Sequence, residues 1–254
     1  MDFTNKVVII TGASAGIGAA TALCFAKLSA KLVLVGRNEN NLKEIAKKSE
    51  GFKNIKPLII QADVAVDENV KNIVKKTMES FGRIDVLVNN AGVLTLGSIL
   101  EGVELFDKAM NVNIRSAYLL TSLIAPYLIE SKGNVVNVSS VAAIKPVKVF
   151  DFLPYSVSKA ALDQFTRCVA LELASKGVRV NSVSPGCTRS KFIEAAGLAG
   201  SDNELDKYGS TLPLGKIVEC DEVANLIVYL ASDRLNINRT YIIISEIENV
   251  YVLF

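Results

Sequence analysis

The run YSVSK, residues 155–159, sets a phenol four positions ahead of an ammonium group in a chain that contains no histidine. On a helix, residues i and i+4 share a face, so Tyr155 and Lys159 would be neighbours. A phenol ordinarily titrates near pH ~10, and positive charge close by favours its ionised form. Beside Lys159 and a second cation, in a partly dry cleft, Tyr155 would serve as an acid or base near neutrality, work that histidine more often performs. The same spacing also describes a solvated pair on a helix surface, so the rest of the sequence must decide.

Two further stretches bear on chemistry. TGASAGIG, residues 11–18, follows an apolar run and opens a helical one. Gly12, Gly16 and Gly18 would let the backbone turn tightly and approach a pyrophosphate, held at the positive end of the helix. Three residues separate the first two glycines, which departs from GxGxxG, and an ordinary strand-to-helix turn has a similar composition. NVSSVAA, residues 137–143, leaves another strand with two hydroxyls, Ser139 and Ser140, at an edge where such sheets bind ligands. Serine is also a common capping residue.

The second apolar run ends in Gly36 and Arg37, about where a fold gripping an unmodified ribose would carry an acid for the 2′-hydroxyl. An arginine suits a 2′-phosphate instead, with the Ser14 hydroxyl as a further donor. This favours NADP(H) over NAD(H). A solvated surface charge would account for the arginine but not for the missing carboxylate.

Those residues need a scaffold, and its pattern is regular. Short β-branched runs occur at KVVIIT (6–11), KLVLVG (31–36), PLIIQA (57–62), IDVLVN (84–89), NVVNVS (134–139), VRVNSV (178–183) and TYIIIS (240–245). They are nearly continuous in apolar residues, as strands buried on both faces are. Helix-period segments lie between them at 17–29, 39–49, 67–80, 101–130, 155–175 and 220–231. The expected class is α/β: a Rossmann-like, doubly wound, parallel seven-stranded sheet with helices on both faces, in a single domain over residues 1–254.

Composition narrows the remaining choices. With 254 residues, 50% of them hydrophobic and 21% charged, the chain can bury one large core. A net charge of +2 without a basic cluster gives no argument for a nucleic acid or an anionic membrane as partner. No apolar run reaches the ~18 residues of a membrane span, and the start lacks a signal-like apolar region. Cys24, Cys168, Cys187 and Cys220 form no CxxC pair and have no histidine to complete a zinc set. A metal-free protein of the reducing cytoplasm is expected.

Taken in order, these stretches resemble the short-chain dehydrogenase/reductase family over nearly all of residues 5–235. TGASAGIG is similar to its TGxxxGxG loop, NNAG (89–92) to its sheet-stabilising signature, NVN (111–113) to its asparagine segment, YSVSK to its YxxxK, and SPG (184–186) to its PG element. The resemblance implies that Tyr155 is the general acid or base, and that Lys159 lowers its pKa and bonds the nicotinamide ribose. Ser140 would polarise the substrate oxygen, and Asn113 would hold a water linking the lysine to solvent. Asp63 would meet the adenine amino group, with Val64 beside it. Ile17 and the segment from Asn89 through Ala91 to Gly92 would line the cofactor groove, and Pro185, Gly186, Thr188 and Ser190 the carboxamide end. Ser140 precedes Tyr155 by fifteen residues, two more than in many members, and is preferred to Ser139 as the second serine of the strand end.

The implied activity is an NADP(H)-dependent carbonyl reductase or alcohol dehydrogenase, with a 3-oxoacyl-thioester reductase or a silent NADP(H)-binding sensor as alternatives. Pocket residues would come from 93–96, 141–154 and 192–212, where Phe150, Phe152, Leu153, Phe192 and Leu198 suit a hydrophobic, steroid-like, isoprenoid or fatty substrate. Ordinary packing would also explain any one of them, and Lys145 and Lys148 read as solvation. A homo-oligomer, dimer or tetramer, is expected. Segment 236–254 lacks the late glycines usual in the family, with Arg239 at an expected glycine.

Overall fold

The apolar runs become strands where their composition predicts. The computed structural model describes residues 1–145, 151–190, 192, 206–207, 209–212, 215–234 and 241–244. Strands β1 (Val7–Thr11), β2 (Lys31–Gly36), β3 (Leu58–Gln61), β4 (Val86–Asn89), β5 (Asn134–Val138) and β6 (Arg179–Pro185) are followed by short β7 (Thr188–Arg189) and β8 (Val218–Glu219), then β9 (Tyr241–Ile244). Seven strands form one sheet in the order β3-β2-β1-β4-β5-β6-β9, and β7 pairs with β8. Every pairing in the large sheet is parallel.

Helices α1 (Gly16–Lys27), α2 (Glu39–Lys53), α3 (Asp67–Phe81), α4 (Glu104–Met110), α5 (Ser116–Ser131), α6 (Leu153–Leu173) and α7 (Cys220–Ala231) supply the crossovers. They cover both faces. Along β1, Val8 and Ile10 share a core with Phe25 of α1, Leu42 of α2 and Ile227 of α7. Val7 and Ile9 share the other with Ile73 of α3, Leu120 of α5 and Leu173 of α6. Successive strand side chains point to opposite faces, so a doubly covered sheet needs apolar residues at every position. Burying one such Ile or Leu is worth about 1.5–3 kcal/mol. At the β3 edge the demand relaxes, and Gln61 is exposed.

From β1 the chain winds outward through β2 to β3, then returns to the other side of β1 with β4. The loops leaving β1 and β4 therefore diverge and open a crevice between them. This is where the glycine loop and NNAG meet.

One expected helix is divided. The segment read as 101–130 starts at Glu104, and Asn111–Arg115 form a π turn between α4 and α5. The whole run Glu104–Ser131 is long and apolar enough by composition to cross a membrane. Yet Leu120, Ile124 and Leu128 are buried in the second core, and Arg115 pairs with Asp67 of α3. That is the pattern of a core helix.

Candidate active site

α6 enters beside the crevice with Pro154 in its first turn, where a missing backbone N–H breaks no helical bond. Its inward face carries Tyr155, Ser158, Lys159 and Asp163, all buried. Ser140, just past β5, lines the cleft with Tyr155 and favours the ionised form of its phenol, and its oxygen accepts from Ala142 N at 3.1 Å. Ser139 faces elsewhere: its hydroxyl donates to Lys159 O at 3.3 Å. Of the two serines, Ser140 is the one that meets the phenol.

Lys159 Nζ donates to Val138 O at 2.7 Å and lies 5.8 Å from the centre of the Tyr155 ring. Burial pushes the Tyr155 phenol up to about 12, against the opposing influence of Ser140. Burial also draws Lys159 down to about 8, partly offset by Asp163. Desolvation thus raises the phenol and lowers the ammonium in the protein without a bound dinucleotide.

Asn113 sits at the middle of the π turn and is 1% exposed. Its Oδ1 accepts from Val93 N at 2.7 Å, and its Nδ2 donates to Val93 O at 2.9 Å and Ser158 Oγ at 2.9 Å. Ser158 Oγ donates in turn to Tyr155 O at 2.7 Å. Both amide hydrogens are committed, so the side chain fastens the loop after β4 to α6. A Cβ at Gly92 would stand 3.2 Å from Asn113 Oδ1 and 3.5 Å from Lys159 Nζ, so glycine lets the backbone lie against this pair.

At the other end of the crevice, Gly12 and Gly16 adopt φ of +68° and +55°, a region L side chains rarely enter. Thr11 Oγ1 accepts from Asn90 N and Ala91 N, each at 3.0 Å. Asn90 Nδ2 donates to Thr11 O at 2.9 Å and Gly12 O at 3.2 Å. The glycine loop is thereby fastened to the end of β4. Ala15 gives α1 no side-chain cap, and the first turn carries no acid. Its free N–H groups and positive dipole end suit a pyrophosphate.

A continuous cleft of ≈ 880 Å³ joins the two ends. Gly12, Ser14, Gly16, Ile17, Arg37, Asp63, Val64, Ala91, Gly92, Ser140, Tyr155, Lys159, Pro185, Gly186, Thr188 and Ser190 line it. Gly18, Asn89 and Asn113 stand behind its wall. Asn89 Nδ2 donates to Asn137 Oδ1 at 2.9 Å and Thr121 Oγ1 at 3.2 Å, tying β4 to β5 and α5. Asn90, within the segment expected along the groove, lines the cleft, as do Asn38, Val138 and Cys187, which were not singled out from sequence. For Asn90 the signal was present in the second asparagine of NNAG.

Near Tyr155 the wall is apolar, formed by Val93, Leu94, Val141, Ala142, Phe152 and Phe192. The Phe152 and Phe192 rings each lie 6.1 Å from the Tyr155 ring. Gly97 N donates to Asp151 O, and Gly97 bridges Phe152, which holds the entry of α6 against the loop after β4. Leu153 is 43% exposed and lies outside the lining, as does exposed Lys145. Phe150, Lys148, Leu198 and Arg239 fall outside the described residues.

A switch-point crevice with a glycine cradle at one end and a Ser–Tyr–Lys cluster at the other defines a dinucleotide-dependent oxidoreductase. Residues 12–242 match the family model described as Enoyl-(Acyl carrier protein) reductase. An L-xylulose reductase of Caenorhabditis elegans is 37% identical over 243 residues, covering 91% of this chain and 90% of its own. A short-chain dehydrogenase/reductase of unknown function from C. elegans, solved with cofactor, superposes with a TM-score of 0.89 at 36% identity, over 95% of this chain and 94% of its own. L-sorbose reductase from Gluconobacter frateurii, solved with NADPH and L-sorbose, gives a TM-score of 0.89 at 29% identity, covering 97% of each chain. The chain belongs to the short-chain dehydrogenase/reductase family.

Proposed function

We propose that this protein is an NADP(H)-dependent oxidoreductase that interconverts a secondary alcohol and its ketone on a hydrophobic small molecule. The observation that carries the reading is the placement of Ser140, Tyr155 and Lys159 together at the apolar end of the cleft that begins at the glycine loop. A bound nicotinamide supplies or accepts the hydride.

The protein's own residues handle the proton. In reduction, Ser140 shares its hydroxyl between the phenol and the substrate oxygen, and the Tyr155 hydroxyl gives its proton to that oxygen as charge develops there. The resulting phenolate is stabilised by the Lys159 ammonium, two of whose hydrogens remain after its bond to Val138 O. Phe152 and Phe192 flank the phenol and exclude water. The apolar wall between them supports a hydrophobic substrate.

Ser14, Arg37 and Asn38 line the far end of the cleft, and no acidic residue ends β2. This supports a 2′-phosphate there. Arg37→Ala is expected to weaken NADPH about 10- to 100-fold, the worth of one charge-assisted contact, and to leave NADH affinity unchanged. Fluorescence titration of both dinucleotides checks it; equal affinities in the parent protein would remove the 2′-phosphate argument.

The activity itself is tested by NADPH oxidation over a panel of apolar cyclic ketones, polyol-derived ketoses and 3-oxoacyl thioesters. Turnover of apolar ketones supports the reading, and exclusive turnover of thioesters or sugars redirects the substrate class. Tight NADPH binding with silence across the panel would instead favour a sensor. Tyr118, Val157 and Leu171 leave apolar surface exposed on α5 and α6, which fits a homo-oligomer. Four unpaired cysteines fit a cytoplasmic setting.

A further inference from the structure

The buried cluster beneath Lys159 has no part in the mechanism above. Tyr155, Lys159 and Asp163 stand at successive i+4 positions on the inward face of α6. Asp163 is 3% exposed. Its carboxylate accepts from Ser182 Oγ of β6 at 3.2 Å, and Ser139, just past β5, also favours its ionised form. A carboxylate is costly to bury unless donors or an opposite charge meet it, and this one has both kinds of partner within a helical turn.

The lysine has the converse need. Lys159 is 4% exposed. Its ammonium donates to Val138 O, while the Ser139 hydroxyl bonds its backbone carbonyl; the Asn113 amide stands across Gly92, and the Tyr155 phenol and Asp163 carboxyl lie along its own helix. Val138 O, Ser139 and Asn113 carry no charge, and the phenol is neutral. Asp163 is the carboxyl group that works against desolvation of the ammonium. Burial raises the Asp163 carboxyl, while Ser139, Ser182, the exposed Arg167 one turn further along α6, and Lys159 itself favour its ionised form.

We propose that Asp163 is a positioning residue for the proton chemistry at Tyr155: a buried counter-charge that keeps Lys159 an ammonium ion at neutral pH. The inference rests on the reading of Lys159 as the cation serving the phenol. With the carboxylate in place, burial already draws Lys159 down to about 8. Without it, the lysine would lose its proton within the neutral range and offer neither charge nor full hydrogen-bonding capacity.

The test uses cofactor-free protein with 13Cε-labelled lysine, titrated by NMR, the Lys159 resonance being assigned by its loss in Lys159→Arg. Asp163→Asn is expected to move the Lys159 midpoint to lower pH by about one unit or more, and Asp163→Glu to restore it. The alkaline limb of kcat for ketone reduction should move with the midpoint. An unchanged midpoint in Asp163→Asn overturns the proposal. Should that variant fail to fold, Ser182→Ala removes one donor, leaves the carboxyl harder to ionise, and should shift the midpoint in the same direction by less; no shift there is equally decisive. If Tyr155→Phe retained full turnover, the mechanism would fall, while the NMR midpoint would still judge the coupling of Asp163 to Lys159.

Discussion

Replacement of Tyr155 by phenylalanine is expected to lower kcat about 10³-fold or more while leaving NADPH binding intact, the range that loss of a positioned proton donor produces. The substitution removes one oxygen and keeps the ring that packs between Phe152 and Phe192. Ser140 still accepts from Ala142 N, so the stability cost should be at most about 1 kcal/mol. The direction of the pH dependence follows from burial. A phenol pushed up to about 12 remains protonated through the neutral range, which is the form needed to donate in reduction. Oxidation needs the ionised form, so its rate should rise about tenfold per pH unit until the phenol titrates in the loaded enzyme. Steady-state rates in both directions, measured for parent and variant, check both statements. A variant keeping more than a tenth of the parent kcat on the same ketone would remove Tyr155 from its assigned role.

The second large effect concerns Gly18. A Cβ there would stand 2.3 Å from Gly12 O and 2.5 Å from Asn90 Nδ2. The first of these is backbone already fixed by Asn90 and cannot swing aside. Gly18→Ala should therefore displace α1 from the glycine loop, costing about 1–3 kcal/mol by overpacking. NADPH affinity should fall at least about 100-fold, because the N–H groups facing the phosphates would lose their alignment. Gly51→Ala provides the contrast. Gly51 lies within α2 with no atom within 4 Å of its missing Cβ. That change should raise stability by about 0.5–1 kcal/mol and leave binding untouched. Denaturant titration and fluorescence binding distinguish the two; an unaltered Gly18→Ala protein would mean that helix and loop are not packed against each other as described.

The contrast between these glycines shows what local sequence carries. β2 was legible to the residue, because an apolar run between Lys31 and Gly36 has few other outcomes in a doubly covered sheet. The π turn at Asn111–Arg115 was not. It forms where the Asn113 amide pairs with both backbone groups of Val93, a partner twenty residues earlier in the chain, and no helical periodicity announces such a contact. The positions behind the cleft wall have a similar cause. At a strand end, consecutive side chains turn to opposite faces, so Asn89 enters the sheet network while Asn90 reaches the glycine loop. The same alternation separates Ser139 from Ser140: the Ser139 hydroxyl bonds Lys159 O while Ser140 lines the cleft. The burial of Asp163 was not legible, since its setting depends on Ser182 of a strand that follows it.

The bonds from Thr11 and Asn90 that fasten the glycine loop have an energetic consequence for ligand capture. They join protein to protein, so the conformational entropy of shaping the phosphate cradle is surrendered when the chain folds. Association is spared that loss, and a preorganised cradle needs fewer new contacts to reach a given affinity.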